Sequence, residues 1–277
     1  MTRPLTDPTR ATPAPSRNRR WLAIGLAVVA IVLVIGGAAG FSYLFLRPAA
    51  PAAVGLSSAS PIATDAAATG GPSTDASATA TSPVTSAGTG TTASLDGTWN
   101  VDPSVGSFSD FSGSFVGYRV EEELANVGAA TAVGRTPEVG GSLTLEGTTI
   151  TAVEITADLS TLQSDNNMRD GQLQRQALET GTFPEATFVL TQPIDLGSLP
   201  ADGAVISVTA TGDLTIHGQT RTVELPLEAR LSGDVVTVTG STEIVFADYG
   251  ISQPRSFMVL SIADRGTMEF QLQFTKG

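Results

Sequence analysis

The chain carries one histidine, His217, and no cysteine. A transition-metal site or a hydrolytic triad would have to be built on that single imidazole, and a thiol nucleophile, a disulfide or an iron–sulfur cluster has nothing to use. His217 lies in Ile216-His217-Gly218-Gln219, which reads as a hairpin turn, so its role is taken as structural or solvated. No Gly-x-Ser-x-Gly elbow and no phosphate-cradling loop accompanies it. Two other groups have the right types for chemistry. Glu121, Glu122 and Glu123 form an acidic run on a strand, where alternation turns Glu122 away from its neighbours. The run reads as a solvated strand end, with cation binding as the functional alternative. Arg169 and Asp170 are adjacent on a helical stretch and face different directions. Structurally, the arginine would pin the helix to strand-end carbonyls and the aspartate would pair with a loop. Functionally, Arg169 would stand at the mouth of a cavity and meet a polar or anionic headgroup. No catalytic or metal constellation emerges, and the chain is expected not to be an enzyme.

The elements that would hold these residues are strands. Val223, Leu225, Leu227, Ala229 and Leu231 alternate with Thr222, Glu224, Pro226, Glu228 and Arg230, and Met268, Phe270, Leu272 and Phe274 alternate with Glu269, Gln271 and Gln273. Period two over segment after segment predicts sheets with one dry and one wet face. Further strands are expected at Thr98–Val101, Phe115–Leu124, Gly141–Glu146, Val153–Leu159, Ala186–Thr191, Ala204–Ile216, Val235–Phe246 and Phe257–Ile262. About ten strands with short hairpins argue for an antiparallel barrel or sandwich. One helix is expected over Asp165–Glu179, capped by Asp165 and ended by Gly181 with Phe183-Pro184. Eight or so strands leave room for side chains alone or for one elongated ligand. The small inward positions Ala157, Ala204, Ala210, Gly212 and Gly240 permit a channel.

Composition divides the 277 residues unevenly. Residues 1–47 hold six Arg against one acid, whereas from Ser94 onward 24 Asp/Glu face nine Lys/Arg. Such an acidic domain repels nucleic acid and anionic headgroups. Between Trp21 and Leu46 no charge occurs; a helix of that length spans ~39 Å, more than the ~30 Å hydrocarbon core. Arg17, Arg19 and Arg20 precede the run and only Arg47 follows, which keeps the N-terminus cytoplasmic and sends the remainder outward. A cleaved secretory leader with a small-residue site near Gly36–Gly40 is the alternative. Residues 47–93 are nearly all Ala, Thr, Ser, Pro and Gly and read as a disordered spacer. The expected organisation is thus a cytoplasmic tail (1–20), a single transmembrane helix (21–46), a linker (47–93) and an extracytoplasmic domain (94–277), the last able to bury roughly 70% of its unfolded surface.

Five segments in order resemble the polyisoprenoid-binding family typified by YceI, lipocalin-like extracytoplasmic barrels. They are Trp99-Asn100-Val101-Asp102-Pro103; Arg169-Asp170-x-x-Leu173; Phe183-Pro184 with Ala186-Thr187-Phe188; Gly212 through Arg221; and Asp248-Tyr249-Gly250-Ile251. Two departures stand out. The family's Ser-x-x-x-Phe-x-x-x-His pattern in its second strand is replaced by Phe111–Arg119, with the histidine gone, and a longer segment, Glu121–Pro137, intervenes. The resemblance implies an all-β, antiparallel lipocalin-like β-barrel with one short helix, whose interior shelters an isoprenoid or fatty-acyl tail without catalysis or other cofactor. Trp99, Tyr118, Phe188, Leu214, Leu225, Phe246 and Phe270 would then line the interior or its mouth, with Arg169 near the headgroup. The competing reading is a cell-surface interaction module whose barrel is solid and whose outer face binds protein or glycan.

Overall fold

The structure is a computed structural model, and it describes residues 50–56, 94–125, 127–256 and 259–277. The expected cytoplasmic tail, the expected membrane span at 21–46 and most of the expected linker lie outside the described residues. Among the described residues no helix is long and apolar enough to cross a membrane.

Residues Ala50–Gly277 form one compact unit. Its strands are β1 (Gly97–Val101), β2 (Phe115–Leu124), β3 (Gly128–Thr136), β4 (Val139–Glu146), β5 (Thr149–Asp158), β6 (Gln163–Ser164), β7 (Glu185–Leu190), β8 (Ile194–Asp195), β9 (Val205–Ile216), β10 (Gln219–Ser232), β11 (Val235–Val245), β12 (Val259–Ile262) and β13 (Arg265–Lys276). Eight of them close a ring in the order β1-β4-β5-β7-β9-β10-β11-β13, with β13 returning to β1. Every pairing round this ring is antiparallel. Closure leaves the ring without a free edge. The seam is shared: Phe274–Lys276 of β13 pair with β1, and Thr267–Gln271 pair with β2. From β2 the sheet runs on through β3 to β6.

Tight hairpins set the register. Between β9 and β10 the turn is His217-Gly218, and both residues have positive φ (51° and 69°), the conformation that matches the twist of two-residue hairpins. Close approach of rings to backbone sets the rest. A Cβ at Gly212 would overlap the Phe188 ring, and one at Gly240 would overlap the ring of Phe270, its partner across the β11–β13 ladder. Two of the small positions that the sequence offered as channel space are therefore occupied by aromatic rings.

Three expectations need correction. The helix, α1 (Asn167–Gln172), is capped by Asn166, whose side chain accepts from the amides of Met168 and Arg169. It continues as one π-helical turn to Ala177 and ends at Glu179, in left-handed conformation, two residues before Gly181. Asn166 wins over Asp165 because Asp165 is drawn to the guanidinium of Arg169. The segment Glu121–Pro137, read as an insertion between strands, contains β3, whose small residues give too weak an alternation to be seen. Finally, the outer face of β13 is not wet. Glu269, Gln271 and Gln273 are buried as fully as the inward Phe270, Leu272 and Phe274. Carbonyls of Phe111 and Gly113 accept from the Gln271 amide and that of Ser112 from the Gln273 amide, so the 102–114 loop lies over this wall.

Candidate functional site: an apolar cavity in the barrel

Inward positions along β9 become steadily more buried from one end to the other. Ile206 and Val208 are half-buried, whereas Ala210, Leu214 and Ile216 are fully buried. On β10 Leu225 is buried at mid-barrel, Leu227, Ala229 and Leu231 beyond it are half-buried, and Val223 on the other side packs against the capping cluster. The barrel is thus open toward Ile206 and Ala229 and capped at the end of the His217 hairpin. The cap is a second apolar cluster in which Leu173 and Leu178, from the helical turns, pack with Leu214, Ile216, Ile244 and Tyr249.

Within the ring lies a cavity of about 120 Å³ whose lining side chains are all apolar except Thr187. Phe188, Leu214, Leu225 and Phe270, four of the residues expected to line the interior, do so. They are joined by Ala157 and Ala210, two of the small inward positions expected to leave channel space, and by Met268 and others that follow from the same alternation. Ile194, in the two-residue strand β8, and Leu196, just after it, also reach the cavity. No periodicity marks so short a strand.

The other expected site residues lie elsewhere. Trp99 is in the main core, its indole N–H donating to the Leu95 carbonyl at 3.0 Å, and does not border the cavity. Phe246 belongs to the capping cluster. Tyr118 points inward opposite Met268, one side chain beyond the cavity, and its buried hydroxyl has no hydrogen-bond partner among the described residues. Burial pushes the Tyr118 phenol well above its ordinary range, and the nearby positive charge of Arg169 offsets only part of this.

Arg169 is not at the open rim. It sits at the capped end, where it bonds Glu122 at 2.6 Å and also pairs with Asp165. Burial alone would lower its pKa, but the two carboxylates reverse this and hold it above the ordinary value. Glu122 is correspondingly 8% exposed, not a solvated strand end. A half-buried guanidinium needs a buried counter-charge, and the inward turn of β2 supplies one. Asp170 pairs with a loop as the sequence suggested: its carboxylate accepts from the amide and hydroxyl of Ser164. His217 is structural in the same sense, its Nδ1 lying 3.1 Å from the Tyr249 carbonyl and its ring edge-on to Phe183. Among the described residues no three His, Asp or Glu side chains are grouped to hold a metal ion.

A closed eight-stranded antiparallel barrel, plugged at one end and dry and apolar inside, is the architecture of lipocalin-like barrels. The family model for the YceI-like domain matches residues 74–274, and the chain belongs to that family. It is 28% identical over 106 residues to a UPF0312 protein of Vibrio parahaemolyticus, a match covering 36% of this chain and 52% of the relative. The chain thus spans about half the length of the curated relative it matches. Similar solved structures include a polyisoprenoid binding domain from Saccharophagus degradans implicated in plant cell wall breakdown, with 20% identity, a TM-score of 0.48, and coverage of 59% of this chain and 94% of that one. Burkholderia cenocepacia BcnA has 21% identity and a TM-score of 0.46, over 62% and 98% of the two chains. The Campylobacter jejuni YceI protein has 15% identity and a TM-score of 0.43, over 52% and 84%.

Proposed function

We propose that this protein is a binding protein and not an enzyme, and that its barrel shelters the tail of an isoprenoid or other long-chain lipid. The observation that carries the reading is the cavity: about 120 Å³ of space lined by apolar side chains, with Thr187 the single polar exception. Water gains no partners in such a space, whereas each methylene moved into it from water contributes about 0.8 kcal/mol. An engineered apolar cavity of ~150 Å³ takes a benzene-sized ligand. A longer tail therefore fills this space and continues toward the open rim at Ile206 and Ala229, displacing flexible neighbours such as Met268 and Leu227. The headgroup then remains at that rim, away from Arg169. The cavity favours this reading over that of a solid barrel acting only through its outer face.

The lipid partner, the arginines before Trp21 and the uncharged run to Leu46 together support a single-pass, membrane-anchored protein with a cytoplasmic N-terminus and an extracytoplasmic barrel. The test is native mass spectrometry and solvent extraction of the full chain purified from its membranes. A prenyl or acyl lipid should co-purify in a defined ratio. Absence of any bound lipid, together with no uptake of an added fluorescent prenyl or acyl probe, refutes the reading.

A further inference from the structure

The buried outer wall of β13 carries a second site. Glu269, 1% exposed, accepts from Arg119 Nε at 2.6 Å and from Arg135 Nε and Nη2 at 2.9 and 2.6 Å. The Arg135 guanidinium also lies over the rings of Phe111 and Phe115, 4.3 Å from each centroid, where the two rings meet edge-on. Two guanidinium groups share one carboxylate, so each has donor capacity left over. That capacity is directed at residues 50–56, a stretch that the sequence assigned to the disordered spacer. Arg119 Nη2 donates to the carbonyls of Pro51 and Ala52, and Arg135 Nη2 to that of Ala52 at 3.0 Å. At the other end of the stretch the Leu56 amide donates to Glu228 Oε2 at 3.0 Å, and the Leu56 side chain is 4% exposed. Glu228 is level with Thr239 on β11, which is level with Gln271 on β13, and both of these are buried.

The geometry points to a peptide-docking groove across the outer wall of β10, β11, β13 and β2, whose occupant is the chain's own segment 50–56, acting as a latch. Recognition is through backbone carbonyls and one apolar anchor, so the groove needs small residues beside that anchor, and Pro-Ala-Ala-Val-Gly-Leu supplies them. Proline at position 51 has no amide to leave unsatisfied. The latch therefore sets where the chain meets the barrel: Pro51 and Ala52 lie on the arginines of β2 and β3, and Leu56 lies beside Glu228 of β10.

The absence of cysteine allows the test on the full chain with spin labels at Ala53→Cys, on an exposed latch residue, and Ser241→Cys, an exposed position level with Glu269 on the neighbouring strand. The expected result is one short, narrow distance distribution. Leu56→Ser, outside every strand of the barrel, should broaden it and speed exchange of the amide at position 56 by roughly ten- to a hundredfold, as expected for loss of one buried leucine. Arg119→Gln, from the barrel side, should broaden it as well, with the melting transition of the barrel retained. A broad distribution in the parent pair, or a narrow one unchanged by both substitutions, overturns the proposal.

Discussion

Ala210 is a small position from which a longer side chain would enter the cavity. It is buried, borders the space and faces inward opposite Leu225 at mid-barrel. Ala210→Leu places three more carbons where the tail would lie and displaces about as many of the ligand's own. At ~0.8 kcal/mol per methylene the lost burial is about 2.4 kcal/mol, roughly fiftyfold in Kd. The lipid-free protein should respond in the opposite direction. A side chain entering empty apolar space adds contacts without strain, for an expected gain of about 0.5–2 kcal/mol and a rise of a few degrees in Tm. Probe displacement and thermal unfolding of the same preparation read both quantities. The reasoning is refuted if affinity is unchanged while stability falls, because Ala210 would then face packed atoms and the tail would lie elsewhere.

Tyr118→Phe should stabilise the lipid-free protein by about 1 kcal/mol or more, since it removes a buried hydroxyl that has no partner among the described residues; chemical denaturation measures this, and a net loss of stability would show that the hydroxyl is satisfied. The same phenol makes an alkaline prediction. Burial raises its folded pKa above the unfolded value of ~10, so the folded state keeps the proton longer than the unfolded state does. This contribution is fully present below about pH 10 and is lost as pH rises toward the higher folded value; Tyr249 is shifted in the same direction. Unfolding free energy should therefore fall above about pH 10, and less so in Tyr118→Phe. On the outer wall, Glu269→Ala leaves the buried Arg135 without its counter-charge, at a cost of about 3–5 kcal/mol. Calorimetry should show Tm lower by roughly 6–20 °C, and a drop under 2 °C would mean that the cluster contributes little.

The capped end and the cavity wall were legible in the sequence to different degrees. Arg169-Asp170, Phe183, Ile216-His217-Gly218 and Asp248-Tyr249-Gly250 are distinctive because each answers a local demand: a helix tied to a loop, a ring against a turn, two positive φ angles, a left-handed stop. Together they build the cap, so Arg169, whose functional reading placed it at a headgroup, lies instead among the residues that hold the plug in place. The cavity wall is written only as alternation of apolar residues, which assigns Phe188, Leu214, Leu225 and Phe270 to the inner face and is silent on what fills the space between them. Trp99 and Phe246 are apolar and inward by the same rule, yet they pack against protein and not against the cavity.

By itself the sequence determined the strand periodicity, the acidity of the domain, the absence of cysteine and membership of the YceI-like family, because these are properties of neighbouring residues or of composition. Only the tertiary structure decided that β13 closes the ring onto β1, that the interior keeps a space of about 120 Å³, that Glu122 meets Arg169 from 47 positions away, and that Pro51 and Ala52 lie on the arginines of β2 and β3. Each of these is a contact between residues far apart along the chain. It depends on how the sheet curls and on which rings cross which glycines, and no local pattern records either.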